Sequence, residues 1–278
     1  MKFSPLLFAT SCLIASTASA DSFTLPIWKE EAEARGYQLP KPFGLNLSYM
    51  SMEQGINVDS IALSNINIPG LDLDMKAEPG KQVTDVFTLR ADVWLFPFLN
   101  IYGLVGKLEG YSSTAVNVDA QVKLHPLLPP LKIKHRIEDF RLDLDGDLKG
   151  AGFVLAGGYK QWFALVDANY TQTSLTVIDG SIDSYVVSPR LGYDFTKNGT
   201  PLRVWVGAMY QNVEQELSGE LRDLNIPLDG RFDVKQRLVS EWNTLAGFQY
   251  GINRSWNIVG EMGFGERESA FLSLERRF

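Results

Sequence analysis

The chain has 278 residues, with 26 lysine and arginine residues against 33 aspartate and glutamate residues, and a formal net charge of −7. This acidic balance argues against nucleic acid as a partner, which would need a basic surface. Aromatic residues make up 12% of the chain and 24 residues are glycine, a composition that favours many strands and tight turns over a helical core.

Residues 1–20 have the pattern of a secretory signal peptide. Lys2 is followed by an apolar run too short for a transmembrane helix, and Ala18-Ser19-Ala20 supplies the small residues of a cleavage site. The alternative, a lipoprotein modified at Cys12, fits less well because Ala9-Thr10-Ser11 is a poor lipobox. Cleavage after Ala20 leaves a mature chain without cysteine, so we expect no disulfide, no cysteine-based metal site and no cofactor.

Residues 21–42 form a separate leader before the first strand. The stretch "PIWKEEAEARGYQLPKP" predicts a short helix from Ile27 to Arg35 that ends at Gly36. Two placements remain open for this helix, free in the periplasm or tucked into the rest of the fold as a partial plug.

Alternation of apolar and polar residues begins at Phe43 and recurs to the C-terminus. In "FTLRADVWL", for example, Phe87, Leu89 and Ala91 interleave with Thr88 and Arg90. Ten candidate strands of about 9–12 residues result, the length that a tilted membrane-spanning strand requires. Short connections alternate with long ones, and the long ones are 51–82, 110–149, 174–183 and 213–238. We therefore predict an all-β chain, in which residues 43–278 form a transmembrane antiparallel barrel of about ten strands with short periplasmic turns and long extracellular loops.

Charged residues fall on the strand face opposite the apolar one, and aromatic residues concentrate near strand ends. A soluble sandwich, the alternative fold, would also alternate, but these two features favour a barrel in a membrane. The residues predicted to line its lumen are Arg90, Asp92, Lys107, Glu109, Asp167, Arg190, Asp194, Arg203, Glu241 and Glu261.

The long segments alternate too, as in "LKIKHRIEDFRLDLDGDLKG", so we interpret them as strands that continue above the membrane. The carboxylates in "DLDGD" fail the calcium-loop pattern, because Leu148 and Val154 stand where glycine and glutamate belong, and we predict no metal site. His125 and His135 lie in one such segment without a positioned acid partner, so we predict no catalytic residues.

The last strand carries a family resemblance. It ends in Phe278 with Leu274 and Leu272 at alternate positions before it, and in this the chain resembles Gram-negative outer-membrane β-barrel proteins. The resemblance implies that these three residues form an assembly signal read by the barrel-assembly machinery, and that the surroundings are outer-membrane lipid and lipopolysaccharide. Arg276 departs from the pattern, which usually has tyrosine or another apolar residue there.

For function, the sequence predicts a barrel without enzymatic activity whose narrow or filled polar lumen passes small solutes passively, if at all. The alternative is a surface-exposed binding or adhesion barrel that uses segments 51–82, 110–149 and 213–238. A hydrolase at the rim, using His125 or His135, is a third and weaker hypothesis. The sequence does not identify a solute, a ligand or an oligomeric state.

Overall fold

The computed structural model describes residues 24–66, 70–123, 129–224 and 229–278. This part of the chain contains one α-helix, α1 (Lys29–Ala34), two 3₁₀ turns (Phe195–Asn198 and Leu221–Leu224) and thirteen strands. Of its helices, none has the length and apolar character to cross a membrane. The strands are β1 (Phe43–Ser64), β2 (Leu71–Ala77), β3 (Gly80–Phe96), β4 (Leu99–Val122), β5 (Leu131–Asp143), β6 (Gly146–Tyr159), β7 (Trp162–Leu175), β8 (Asp179–Asp194), β9 (Leu202–Glu220), β10 (Arg231–Leu238), β11 (Trp242–Gly251), β12 (Trp256–Phe264) and β13 (Arg267–Arg277).

Ten of these strands form a closed antiparallel ring. Its order is β1-β3-β4-β6-β7-β8-β9-β11-β12-β13, and the ring closes where β13 pairs with β1, from Gly44 opposite Arg277 to Gln54 opposite Arg267. The predicted barrel of about ten strands is thereby confirmed. We call the end of the barrel that carries the short turns, the start of β1 and the end of β13 the turn end. The opposite end is the extended end.

The outer surface of the ring is apolar over a broad belt. Leu47, Leu89, Leu191, Val206 and Leu272 point outward and are each between 45% and 63% exposed. A protein surrounded by water rarely exposes so large a contiguous apolar patch, whereas a barrel in lipid must. The alternation seen in the sequence therefore places apolar side chains outside and polar ones inside, the reverse of a soluble fold.

The long segments continue the wall beyond this belt as strands β2, β5 and β10. β2 and β5 both pair with the C-terminal half of β4, one on each side, while β10 pairs with both β9 and β1. At this level β10 takes the place of β11, β12 and β13, which have ended, so the ring narrows. The interpretation of these segments as continuing strands matches the structure.

An apolar core fills the interior of the narrowed extended end. Val116, Leu144 and Phe232 have no exposed surface, and Leu217 and Leu142 are almost fully buried around them. Close-packed apolar side chains of this kind leave no room for water. The extended end is thus closed by a hydrophobic core built from the inward faces of the extended strands.

The leader lies against the turn end. The Trp28 ring packs on Phe96 and Phe98, with ring centroids 5.0 and 6.1 Å away, and the Tyr37 hydroxyl donates to the Gly158 carbonyl. Helix α1 begins at Lys29, two residues later than the sequence predicts, because Trp28 has a positive φ of 67°.

The C-terminal residues complete the seam of the ring. The Phe278 amide donates to the Phe43 carbonyl at 2.9 Å, and Leu272, Leu274 and Phe278 face outward. The Arg276 guanidinium lies 4.7 Å from the Phe278 ring centroid and 5.4 Å from that of Trp256. The Arg276 guanidinium therefore lies over two aromatic rings at the turn end, in the geometry of a cation–π contact.

Candidate functional site in the barrel interior

Below the apolar core, the interior is crossed by ion pairs. The first joins Arg277 of β13 to Asp92 of β3, 2.8 Å apart, and the same guanidinium contacts Glu275 at 2.5 Å. Arg277 and Asp92 reach each other across β1 because Gly44 lies between them, and a β-carbon there would lie 2.9 Å from Arg277 Cζ. The pair is almost fully buried, with side chains 9% and 1% exposed.

A second group lies beside the first and is connected to it. Asn100 donates to Asp92 at 2.5 Å and accepts from Arg90 at 3.0 Å. Arg90 in turn stacks 3.6 Å from the Tyr102 ring centroid and pairs with Asp167 at 3.7 Å, and Tyr102 donates to Asp167 at 2.6 Å. Because Asp167 lies on β7, this group spans from β3 across β4 and β6.

The third group spans the opposite side of the interior. Arg190 of β8 pairs with Glu261 of β12 through two hydrogen bonds of 2.7 and 3.0 Å, and the Trp205 indole donates to the same carboxylate at 2.7 Å. Gly247 makes room for this indole, since a β-carbon would lie 2.7 Å from the ring. Bidentate geometry of this kind fixes the orientation of both partners.

A fourth pair lies near the turn end and is more open to solvent. Arg203 donates to Asp194 at 2.8 Å, with side chains 41% and 20% exposed. Asp194 also accepts from the Thr196 amide, which ties it to the connection between β8 and β9. This pair marks the mouth of the interior at the turn end.

Between the ion pairs and the apolar core lies a layer of buried glutamines. Gln236 donates to Gln215 at 2.6 Å, Gln215 donates to Gln82 at 3.0 Å, and Gln54 donates to Gln82 at 3.2 Å. These four residues come from β10, β9, β3 and β1. Their side chains therefore bridge the interior rather than merely coat its wall.

Seven of the ten residues predicted to line the lumen lie inside the barrel or at its mouth. The structure brings these seven into the four groups above: Arg90, Asp92, Asp167, Arg190, Asp194, Arg203 and Glu261.

The structure differs from the prediction at Lys107, Glu109 and Glu241. Lys107 is opposite Phe87, and Glu109 is opposite Asp85, on the outer face of β3 and β4. Both residues lie beyond the apolar belt, where outward charges meet polar surroundings. Because both faces of β4 contain leucine or valine, the alternation does not decide which of its residues face inward. Glu241 is exposed in the turn before β11, where its backbone carbonyl accepts from the Gln211 amide.

Several interior residues were not predicted from the sequence. Glu275, Arg277 and Arg267 share the inward face of β13, and the alternation of that strand was the available signal for them. Tyr102 has the pattern of an outward apolar residue, yet it is 7% exposed and faces inward. The glutamines of the buried layer are uncharged, so charge does not mark them as lumen residues, although their positions follow the same alternation.

The candidate catalytic and metal-binding residues do not converge. His135 is exposed on β5 opposite Val118, and His125 lies outside the described residues. In "DLDGD", the Leu144 side chain is buried in the apolar core, while Asp143 pairs with Arg141. Within the described ranges, no three histidine, aspartate or glutamate side chains are grouped as a metal site would need.

Beyond the apolar belt, an exposed cluster contains a carboxylate whose pKa is lowered. Glu78, between β2 and β3, accepts from Arg136 at 3.0 Å and from Asn117 at 3.2 Å. The hydrogen bond from Arg136, and then that from Asn117, lowers the pKa of Glu78. The cluster connects β5 to the junction of β2 and β3 across β4.

No known family model matches the chain, and no curated protein matches it. Solved structures similar to it include an outer membrane channel from Pseudomonas putida F1, with 10% identity and a TM-score of 0.41, covering 87% of this chain and 97% of that one. The outer membrane protein OprG from Pseudomonas aeruginosa has 12% identity and a TM-score of 0.34, covering 87% and 98%. The β domain of the Bordetella autotransporter BrkA has 10% identity and a TM-score of 0.37, covering 86% and 100%. The closed ring of ten antiparallel strands and its apolar outer surface confirm, at the level of architecture, the predicted resemblance to outer-membrane β-barrel proteins.

Proposed function

We propose that the chain is an outer-membrane barrel without enzymatic activity, whose filled polar interior forms a narrow and ordinarily closed path for small solutes. The turn end faces the periplasm and the extended end faces outward. The observation that supports this proposal is the set of ion pairs that cross the interior, above all Arg190–Glu261 and Arg277–Asp92. A general porin would instead keep charged side chains along its wall and leave the centre open to water.

The apolar core and the glutamine layer explain why the path is closed. Solute entering from the extended end meets close-packed side chains first, and then bridged amides. Passage requires the extended strands or the ion pairs to rearrange, so we expect slow and selective conduction. His135, the histidine among the described residues, is exposed on β5 opposite Val118, which supports the non-enzymatic part of the proposal.

Single-channel recording of residues 21–278 refolded in a planar bilayer tests this proposal. We expect the wild-type barrel to be silent or to open rarely. The double variant Arg190→Ala/Glu261→Ala should show larger and more frequent conductance steps, because the ion pair that crosses the interior is lost. The matched control is Lys81→Ala/Glu53→Ala, which removes an outward pair 3.6 Å apart. Unchanged silence in the interior variant, with a folded barrel on gels, would remove the channel proposal.

A second function, recognition at the cell surface, is supported by the sheet of β2, β4 and β5. Leu131 and Ile133 are 53% and 48% exposed on one face of this sheet, which continues the face that covers the apolar core. Substituting both by aspartate should abolish attachment of expressing cells to a ligand while leaving conductance unchanged. Attachment that survives this double substitution would exclude the sheet as the binding surface.

A further inference from the structure

Arg267 differs from the other arginines of the barrel interior. It is the first residue of β13, faces inward opposite Gln54 of β1, and is only 2% exposed. It lies at the level where β10 begins to replace β11, β12 and β13 in the ring. The adjacent Glu266 and Glu268 are exposed and face away from the interior.

The four other interior arginines each have a carboxylate. Arg90 pairs with Asp167, Arg190 with Glu261, Arg203 with Asp194, and Arg277 with both Asp92 and Glu275. Arg267 has no carboxylate oxygen within 4.0 Å among the described residues. Its only hydrogen bond to a described residue is from Nη1 to the side-chain oxygen of Gln211.

The two unused donors of Arg267 are Nε and Nη2, both buried and without a partner in the described part of the chain. These two nitrogens form one edge of the planar guanidinium, the edge that matches the two oxygens of a carboxylate. A buried cation with no counter-charge is costly, and a group that supplies two acceptors and one negative charge would compensate that cost.

We propose that Arg267 anchors a binding site for a small carboxylate inside the extended end of the barrel. One carboxylate would accept from Nε and Nη2 at once, while Gln211 holds Nη1 and fixes the plane of the guanidinium. Arg267 is the first residue of β13 and directly follows Gly265 and Glu266, which connect β12 to β13. This inference goes beyond the closed-barrel function and does not depend on conduction.

Thermal unfolding of the refolded barrel in detergent micelles, followed by its heat-dependent gel shift, tests the site. The probe is acetate, replacing chloride at constant sodium concentration, and acetamide is the neutral probe of the same shape. We expect acetate to raise the unfolding midpoint of the wild type by a few degrees in a saturable manner, because a ligand that binds only the folded state stabilises it. Acetamide should have no such effect.

Substitutions show whether acetate binds at Arg267 or at another site. Arg267→Met should lose the response to acetate and, without acetate, should unfold at the same or a higher temperature, because an unpaired buried charge has been removed. Arg276→Met, which removes an outward arginine, should keep the full response. If Arg267→Met does not fold, Arg267→Lys replaces it. We expect the half-saturating acetate concentration of this variant to be at least threefold higher, because lysine lacks the planar edge.

Two results would overturn the proposal. A wild-type barrel that acetate and chloride stabilise equally has no carboxylate site. An acetate response that persists in Arg267→Met or is unchanged in Arg267→Lys places the binding elsewhere. Neither result bears on whether the Arg190–Glu261 variant conducts, so failure of this site and failure of the proposed function remain distinguishable.

Discussion

The interior is held together residue by residue through large charged side chains that lie above glycines. Gly44 leaves the space through which Arg277 reaches Asp92, and Gly247 accommodates the Trp205 indole that donates to Glu261. The sequence shows these glycines on the inward face, but their role depends on which residues occupy the neighbouring strands. Register across strands is not encoded in a period of two, so the pairs themselves could not be predicted.

We expect Gly44→Val to destabilise the barrel by about 3–5 kcal/mol, the usual cost of breaking a buried ion pair by displacing one partner. The valine side chain would overlap the Asp92 carboxylate and force Arg277 away. Urea unfolding in lipid vesicles, followed by tryptophan fluorescence, measures this change. Gly103→Val is the control, because Gly103 faces outward and a β-carbon added there would lie 3.9 Å from its nearest neighbour, the Gly150 carbonyl oxygen. Equal losses in the two variants would contradict this account.

At the scale of elements, the extended strands β2, β5 and β10 were foreseen from the alternation of the long segments, whereas their partners were not. β10 pairs with β1, far away in sequence, from Ile56 opposite Leu238 to Ser64 opposite Arg231. Nothing in either strand specifies the other except the apolar core that both cover. The inward face of β4 was also predicted wrongly at Lys107 and Glu109, because this strand carries apolar residues on both faces.

The cluster around Glu78 predicts how β5 responds to acid. Because the pKa of Glu78 is lowered in the folded chain, its contribution is present above the unfolded pKa, about 4.3, and is lost as the pH falls through the lower folded pKa. We expect amide protection in residues 131–138, corrected for intrinsic exchange, to decrease in acid. Glu78→Gln should show that lower protection already at pH 7; protection that is equal in both proteins at pH 7 would show that the cluster does not hold β5.

At the scale of the whole molecule, the barrel is apolar outside, polar within and sealed by an apolar core at one end. The sequence predicted the strand number, the short turns and the outward face, because each depends on local alternation. It also predicted a narrow or filled lumen from the small strand number. It did not predict which side chains fill the lumen, because that depends on contacts between strands on opposite sides of the ring, such as Gln215 with Gln82.

The apolar belt predicts a cost for a charge at its surface. Val206 points outward and is 63% exposed, so Val206→Arg should destabilise the barrel in vesicles by about 2–4 kcal/mol if it lies near the bilayer midplane. Glu53→Arg, beyond the belt, should have little effect. A neutral result for Val206→Arg would argue that water and not lipid surrounds this surface.

The pairing of β10 with β1 also limits where the wall can open sideways. β1 bonds to β13 between Gly44 and Gln54, and to β10 from Ile56 onward. Separation of the seam at β13 therefore stops below Ile56, where β10 acts as a latch. A sideways opening of this seam, between the lumen and the bilayer, is therefore confined to the stretch from Gly44 to Gln54.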